Sequence, residues 1–396
     1  MARTNTLSSH PALSLLVPLV LGIHLRPVDH SRGLVVLGGG LNFCLVWMLS
    51  ARSCAAYRWR SIPLHLGLLL ATLALGMLRT QWAIPYTPTE EADSLRLLLV
   101  QNLQASPISP EVQHLIQALS LGYLPRGETI QAMRESFAHS GAAHLLVVSG
   151  YHLGLIVALM AVMLRRLREA HPLLYYGLLL IGAWGFVILT GWGLPSVRAA
   201  LMLSVYLVAN MLGRSAHTPN VLAFAAIIQL LYDPTSLYSW GMWLSYTAVL
   251  SIHLYYAPLR NAIGALRNPL VANLWEALCL TLAAQVLTLP LVMYLFGYVS
   301  LSFIFTALPL GLMASVLIPL SLIAYLLAYC GLPLGLLATA IEYLGQAMLT
   351  LSEAGGKLTG ILHAGTMPLW ALLLSWGLAA TLSYALRPAP WPSDRR

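Results

Sequence analysis

Long apolar segments separated by short polar loops dominate this chain. They lie at residues 11–25, 34–50, 63–82, 144–164, 173–191, 195–213, 219–232, 240–256, 271–296, 300–328, 333–352 and 367–386. A helix needs about 20 apolar residues to cross the hydrocarbon core of a membrane, and only helices or closed barrels satisfy their own backbone there. The pattern therefore predicts an all-α, polytopic integral membrane bundle with about 12 transmembrane helices.

The segments group into three regions: an N-terminal transmembrane block at 1–82, a linker at 83–143 and a transmembrane core at 144–396. Two segments of the linker carry apolar residues at helical spacing, namely Val112, Leu115, Ile116 and Leu119, and then Ile130, Met133 and Phe137. This spacing predicts two amphipathic helices. They either lie on the membrane surface or pack against the bundle.

Prolines interrupt the later segments. Pro309 and Pro319 both lie in the run at 300–328, which is long enough to form one broken helix or a hairpin. Non-helical backbone within a bilayer is tolerated only where protein or a water-filled cavity satisfies it. The two prolines therefore indicate either a discontinuous helix or simple kinks.

Charge gives the orientation of the predicted helices. Charged residues make up 9% of the chain and hydrophobic residues 59%, which excludes a soluble domain, and the formal net charge is +8. Short cytoplasmic loops of membrane proteins are rich in arginine and lysine. With both termini in the cytoplasm, the cytoplasmic side receives Arg52, Arg58, Arg60, Arg165, Arg166, Arg168, Arg214, Arg260, Arg267, Arg387, Arg395 and Arg396. The basic charge thus indicates topology, and the linker is expected outside.

Unusual polarity is found in the segment at 144–164, which contains His144, Ser149, Gly150 and His152. If the helix opens at Ser149 and Gly150, the half-helix that follows presents a positive dipole end that can hold an anion such as phosphate. Alternatively, Gly150 and Gly154 permit close helix packing while Ser149 bonds back to a carbonyl.

The sequence suggests no cofactor or metal. On an unbroken helix the two histidines are about 12 Å apart along the axis, too far to share a zinc ion. The sequence also lacks a phosphate loop, a metal-binding histidine motif and a dinucleotide fingerprint. We therefore expect a non-enzymatic protein.

Two further charged residues need an explanation. Arg198 follows Pro195 and Ser196 at the outer end of its segment, where a cation opposes the helix dipole. It either contacts phosphate or extends toward the membrane interface. Glu342 lies near the middle of its segment, where it could serve a proton or cation pathway or bond to a neighbouring helix.

Four segments, in this order, resemble successive signatures of the ComEC competence-protein family. They are GAAHLLVVSGYHLGLI from Gly141, GLPSVRAALM from Gly193, DPTSLYSWGMWLSYTAVLSI from Asp233 and LAAQVLTLPLVMYLFGYVSL from Leu282. The resemblance implies that the DNA path includes His144, Ser149, Gly150, His152, Arg198, Ser245 and Gln285. It implies that Gly154, Ser196, Asp233, Pro234 and Pro290 are structural motif residues.

The resemblance also implies a function, which is transport of single-stranded DNA across the bacterial inner membrane during natural transformation. The family's OB-fold and metallo-β-lactamase-like nuclease domains are not expected in this chain. Thr306 stands where the family tends to have Asn, and Tyr151 stands where Leu is common. We expect a separate nuclease, a DNA receptor and a cytoplasmic DNA-translocating ATPase as partners, beside the lipid bilayer.

The leading hypothesis is a channel for single-stranded DNA, entered near Arg198 and lined around Ser149 and Gly150, with Trp192, Tyr151 and Trp243 as stacking partners. One alternative is an ion-coupled transporter for a small solute, with Glu342 as the coupling carboxyl. The other is an intramembrane hydrolase with Ser149 as nucleophile and His144 or His152 as base. We expect the hydrolase least, because a histidine on the same helix rarely reaches the serine.

Overall fold

The computed structural model describes residues 15–21, 90–125, 127–214, 216–263, 268–300, 302–358, 361–363 and 367–385. Residues 15–21 are helical, in agreement with the first apolar segment. The predicted helices at 34–50 and 63–82 lie outside the described residues. The orientation that the N-terminal arginines indicate therefore stays a prediction.

Helices make up nearly all of the described chain. The linker contains α1 (Glu90–Gln104), α2 (Pro110–Ile116), a π-helical turn (Gln117–Leu121) and α3 (Glu128–His139). The core begins with a 3₁₀ turn (Ala143–Leu146) and continues with α4 (Gly150–Met163), α5 (Leu167–Ala170), α6 (Pro172–Leu189), α7 (Leu194–Met211) and α8 (Thr218–Tyr232). It ends with a 3₁₀ turn (Pro234–Tyr238), α9 (Trp240–Asn261), α10 (Pro269–Phe296), β1 (Tyr298–Ser300), α11 (Phe303–Tyr329), α12 (Gly335–Leu358), β2 (Ile361–His363) and α13 (Leu369–Ala385).

Four of these helices, α6, α7, α10 and α11, are long and apolar enough to cross a membrane. Helices α4 and α8, and residues Leu369–Ala379 of α13, are apolar but shorter. Each predicted segment of the core from 173–191 onward coincides with one of the helices. The described chain is thus that of an all-α membrane protein.

Two features of the core add to the sequence expectation. Most of the run at 300–328 forms one continuous helix, α11, with Pro309 and Pro319 inside it, so of the alternatives for the prolines the structure excludes a discontinuous helix and a hairpin and agrees with simple kinks. Proline removes one backbone donor and displaces a carbonyl, which bends a helix without ending it when neighbours compensate. In addition, β1 and β2 pair antiparallel, with Tyr298 opposite His363. Strands of three residues are too short to give a sequence pattern.

The chain divides into two compact units, one made of residues 1–87, 164–181 and 197–243, and the other of residues 88–163, 182–196 and 244–396. In the second unit, α11 packs against α12 and α1, and α12 packs against α3. The apolar stripes of the linker, from Val112 to Phe137, are buried in the core that these helices share. Packing against the bundle, one of the two alternatives for the linker helices, is therefore what the structure shows.

A tight turn joins α3 to the 3₁₀ turn and the segment that precedes α4. Gly141 has a left-handed backbone with φ of 78°, and its N–H donates to the Ala138 carbonyl while the Ala142 N–H donates to the Phe137 carbonyl. These two bonds form a Schellman motif, which favours glycine. A Cβ atom at Gly141 would lie 2.6 Å from the Cβ of Phe303, so the backbone of the turn packs directly against the start of α11.

Buried hydroxyl groups secure the same junction. The Thr306 hydroxyl donates to the Ser140 carbonyl at 2.5 Å, and the Ser302 hydroxyl donates to the Gly355 carbonyl at 2.7 Å. Both hydroxyl-bearing residues are almost fully buried. Buried carbonyls at helix ends need such partners, and Thr306 supplies one at the position where the resembling family tends to have Asn.

We expect Gly141→Ala to lower the thermal unfolding temperature of the purified protein. A left-handed backbone costs an L-residue about 1 to 2 kcal/mol, and the added Cβ would collide with Phe303. Gly185→Ala is the matched control, because a Cβ at that helical glycine meets nothing within 4 Å among the described residues. Equal unfolding temperatures for the two variants would contradict the importance of the turn.

Candidate functional site

The polar segment from His144 to Ile156 is not one helix. His144 lies in the 3₁₀ turn, Val147 is extended with φ of −112° and ψ of 123°, and α4 begins only at Gly150. The helix therefore opens at Ser149 and Gly150, which is the first of the two alternatives drawn from the sequence. The start of α4 thus lies within an apolar stretch of the sequence.

A histidine caps this helix start. The Ser149 N–H donates to Nδ1 of His152 at 3.2 Å, and the Ser149 hydroxyl lies 3.1 Å from the same nitrogen. The Leu153 N–H donates to the Ser149 carbonyl, which makes Ser149 the N-cap residue. His152, three residues later, reaches back to the N-cap N–H as the glutamate of a capping box does. This bond explains why a fully buried histidine is stable here.

The cap also bears on the hydrolase alternative. The sequence favours the hydrolase least because a histidine on the same helix rarely reaches the serine, yet Nδ1 of His152 lies 3.1 Å from the Ser149 hydroxyl. However, Nδ1 of His152 also accepts the backbone N–H, and Nε2 has no hydrogen-bond partner among the described residues. A serine nucleophile needs a base that a third group orients, and among the described residues no carboxylate bonds to the ring, which instead lies beside the Tyr151 ring at 5.7 Å, centroid to centroid.

The accessible side of the helix start carries the motif residues. His144, Gly150 and Gly154 are exposed, whereas Ser149 is half-buried. A Cβ at Gly154 would meet nothing within 4 Å among the described residues, so this glycine does not serve close helix packing there. Tyr151 is 41% exposed and its hydroxyl donates to the Gly311 carbonyl of α11 at 2.7 Å. The tyrosine thus fixes α4 to α11, and Gly150 and Gly154 remain exposed beside it.

Arg198 is buried in the first unit, with only 4% of its surface exposed. A Cβ at Gly241 would lie 3.4 Å from Nη2 of Arg198, so the guanidinium rests against the first turn of α9. Arg198 also lies in the second turn of its own helix, α7. Helix N-termini carry a partial positive charge, so a guanidinium beside one is not placed there to stabilise the helix. Because Arg198 is buried, the alternative that its side chain extends toward the membrane interface is excluded.

The loop before Arg198 is conformationally unusual. Helix α6 ends in a Schellman motif with Gly191 at φ of 71°, and Trp192 follows at φ of 56°. A positive φ is rare for a bulky residue and costs energy. The Trp192 ring lies 6.0 Å from that of Trp184, centroid to centroid. The structure therefore holds this tryptophan, one of the expected stacking partners, in a strained backbone position.

Sequence reasoning missed Arg96 of α1. Its Nη1 donates to the Thr190 carbonyl at 3.4 Å, and a Cβ at Gly191 would lie within 2.5 Å of three guanidinium atoms. A cation at the last carbonyls of a helix is favourable, so Arg96 caps α6. The available signal was a lone arginine in the mainly apolar stretch LRLLLV.

The later motif residues are mostly bonded locally. The carboxylate of Asp233 accepts the Thr235 N–H at 3.0 Å and the Ser236 hydroxyl at 2.7 Å, which caps the 3₁₀ turn that Pro234 begins. The Ser196 hydroxyl donates to the Gly193 carbonyl at 2.8 Å.

Two motif residues of the later helices, Ser245 and Gln285, are half-buried. The Thr288 hydroxyl donates to the side-chain oxygen of Gln285 at 3.4 Å within the same helix. The Trp243 indole, on an exposed side chain, donates to the Leu237 carbonyl at 2.9 Å.

Helix α10 is opened by a side chain just before Pro290. The Ser251 hydroxyl of α9 donates to the Ala283 carbonyl and accepts the Leu287 N–H at 3.1 Å. Those two groups would otherwise bond to each other within the helix. The Trp376 indole of α13 donates to the Leu287 carbonyl at 3.0 Å. Side-chain insertion and proline are recognised causes of helix bending, and here α9 and α13 supply the side chains that bond to this turn of α10.

Glu342 bonds to a neighbouring segment. Its carboxylate accepts the Ser109 N–H at 2.8 Å, and Gln346 donates to both Glu342 and the Ser109 hydroxyl. Ser109 is the N-cap residue of α2, where a carboxylate is favourable. The structure thus gives Glu342 a capping role, and no observation favours the ion-coupled transporter.

Comparison with known proteins gives consistent matches. The family described as Competence protein matches residues 121–388. The Competence protein ComA of Neisseria gonorrhoeae is 28% identical over 286 residues, which cover 70% of this chain and 39% of that protein. The ComE operon protein 3 of Bacillus subtilis (strain 168) is 27% identical over 201 residues, which cover 50% of this chain and 24% of that protein. The chain thus spans well under half the length of these relatives. No solved structure matches it significantly.

We predict that His152→Leu lowers the unfolding temperature and that His152→Gln largely preserves it. The leucine leaves the Ser149 N–H without an acceptor, which costs about 1 kcal/mol, whereas glutamine is a normal residue of the capping box. Thermal unfolding in detergent measures both. If the His152→Leu variant unfolds at the same temperature as the parent chain, His152 does not stabilise the helix start by capping it.

For Glu342 we predict that Gln is tolerated and Ala is not. Glutamine retains an oxygen that accepts the Ser109 N–H, while alanine leaves that donor unsatisfied at a cost of about 1 kcal/mol. Unfolding temperature and transformation frequency should be measured for both. Loss of transformation in a fully stable Glu342→Gln protein would favour ion coupling through the carboxyl.

Proposed function

The chain belongs to the competence protein family, and we propose that it forms the membrane core through which single-stranded DNA crosses the inner membrane in natural transformation. The family match covers residues 121–388, which include every motif residue discussed above. The competence proteins that the chain resembles are longer than it, so the transport function is proposed for the shared region.

The observation that carries the proposal is the buried guanidinium of Arg198 beside the first turn of α9. A single strand presents one phosphate per nucleotide, and proteins hold it with cationic grooves. Guanidinium groups bind phosphate oxygens in pairs of hydrogen bonds, and helix N-termini add donors and positive potential. An arginine and a helix start in contact therefore combine two of the strongest phosphate-binding features.

The helix start at Gly150 supports the same function. Its capped first turn carries exposed glycines, so the backbone is accessible at a position where side chains would otherwise cover it. Glycine allows a ligand to approach the backbone closely. We propose that His144, Ser149 and Gly150 contact the strand here, with Tyr151 beside them, and that Ser245 and Gln285 contribute polar groups elsewhere along the path.

The proposed channel has about 12 transmembrane helices. Both of its termini are placed in the cytoplasm, because arginines concentrate in the loops assigned to that side. We propose that the core itself is non-enzymatic. A separate nuclease, a DNA receptor and a cytoplasmic DNA-translocating ATPase would then supply strand degradation, capture and directional force.

Arg198→Ala should reduce transformation frequency by about tenfold or more, since a charge-assisted hydrogen bond contributes about 1.5 to 3 kcal/mol. Arg198→Lys should restore only part of the activity, because an ammonium group lacks the planar fork. Transformation with a selectable marker measures the effect, with membrane abundance determined in parallel.

Arg260→Ala is the matched control, because that exposed arginine is paired with Glu276 at 2.7 Å. It should transform as well as the parent chain. If Arg198→Ala transforms normally at normal abundance, the phosphate contact is wrong.

A further inference from the structure

A cavity of about 500 Å³ lies in the linker, outside the motif residues. It is formed by α1, by the loop and helix α2 that follow, and by residues 123–125. Its lining includes Gln101, Gln104, Gln113, Gln117, His114 and Tyr123. The volume is in the range of small-molecule sites, and most of this region precedes the part of the chain that matches the family.

The described lining of the cavity combines polar side chains with apolar ones such as Leu97 and Val100, and none of these described residues is acidic, a lysine or an arginine. Four glutamine amides converge on it, two from α1 and two from α2 and the π-helical turn. The Gln113 amide is fixed in place, because its Nε2 donates to the Ile108 carbonyl at 2.8 Å. The carbonyl oxygen of that amide is therefore preoriented, which favours recognition of a neutral ligand with donors and acceptors of its own.

Two polar atoms of the lining lack partners. The hydroxyl oxygen of Ser106 and Nδ1 of His114 are buried without a hydrogen-bond partner among the described residues. Buried polar atoms are nearly always satisfied in folded proteins. Both residues line the cavity, and an occupant that hydrogen-bonds would give these atoms partners after a small rotation of either side chain.

We propose that this cavity receives a single nucleobase of the incoming DNA strand, an inference that rests on the proposed function. Amide side chains match the paired donor and acceptor of a base edge, and the half-buried Tyr123 offers an aromatic ring for stacking. Since the described lining residues include no lysine or arginine, the phosphates are placed outside the cavity in this proposal. Enzymes that handle bases use pockets lined by aromatic and hydrogen-bonding groups.

Binding of oligonucleotides to the full chain in lipid nanodiscs tests this directly. The probes are a fluorescent oligodeoxyadenylate and an abasic oligomer of the same length, which carries the same phosphates without bases. We expect the parent chain to prefer the base-bearing probe. Gln117→Leu should reduce that preference by about fivefold or more and leave binding of the abasic probe unchanged.

Two further variants keep the test informative if Gln117→Leu does not fold. Gln101→Ala removes an exposed amide from the rim of the cavity and should weaken only the base-bearing probe. Asn102→Ala is the control, because this neighbouring amide bonds to the Leu98 carbonyl of its own helix and does not line the cavity. It should bind both probes as the parent chain does.

Two results overturn the cavity inference. One is equal binding of both probes by the parent chain. The other is a loss of binding in Gln101→Ala that affects both probes, or that Asn102→Ala shows as well. In that case the cavity holds water only. Displacement of the base-bearing probe by a neutral glycan oligomer would reassign the site to carbohydrate. If the parent chain binds neither probe and Arg198→Ala transforms normally, the proposed function fails as well.

Discussion

The interruption of the apolar segment before Gly150 is the constraint on which the rest of the site depends. A helix that begins within apolar surroundings must satisfy its first N–H groups from inside the protein. Here the Ser149 N–H is bonded by His152, three residues further along the same helix. Because the histidine performs this task from the buried side, the exposed side can carry glycines. The break is therefore stable and its backbone stays accessible.

The same requirement accounts for polar side chains elsewhere in the bundle. Ser251 occupies a gap in the hydrogen-bond ladder of α10, and Trp376 bonds a carbonyl of the same turn. Arg96 caps the end of α6, and Glu342 caps the start of α2. In each case a side chain from a neighbouring element compensates for a break that proline, glycine or a helix end creates. Their polarity is thus structural.

The sequence predicted what depends on local pattern. Segments such as 271–296 became helices because their length and hydrophobicity leave no other stable form, and the stripe from Val112 to Phe137 is buried because its spacing lies on one helix face. Tertiary contacts decided the rest. No local pattern shows that Pro309 and Pro319 would leave α11 continuous, or that Trp192 would adopt a positive φ. The sequence identified His152 as a site residue, but its capping bond to Ser149 could be recognised only from the structure, which shows the helix break.

Charge and neutrality separate the two kinds of contact that a single strand needs. Phosphate recognition requires cations or helix N-termini, and base recognition requires amides and rings. On the proposed function, Arg198, which lies against a helix start, would make the first kind, and the glutamine-lined cavity, whose described residues include no lysine, arginine or carboxylate, would make the second. A cation within that cavity would attract phosphate and exclude the base, so base binding there requires a neutral lining. If the proposed function holds, the linker, which precedes the motif residues, contributes contacts to bases that the motif residues do not provide.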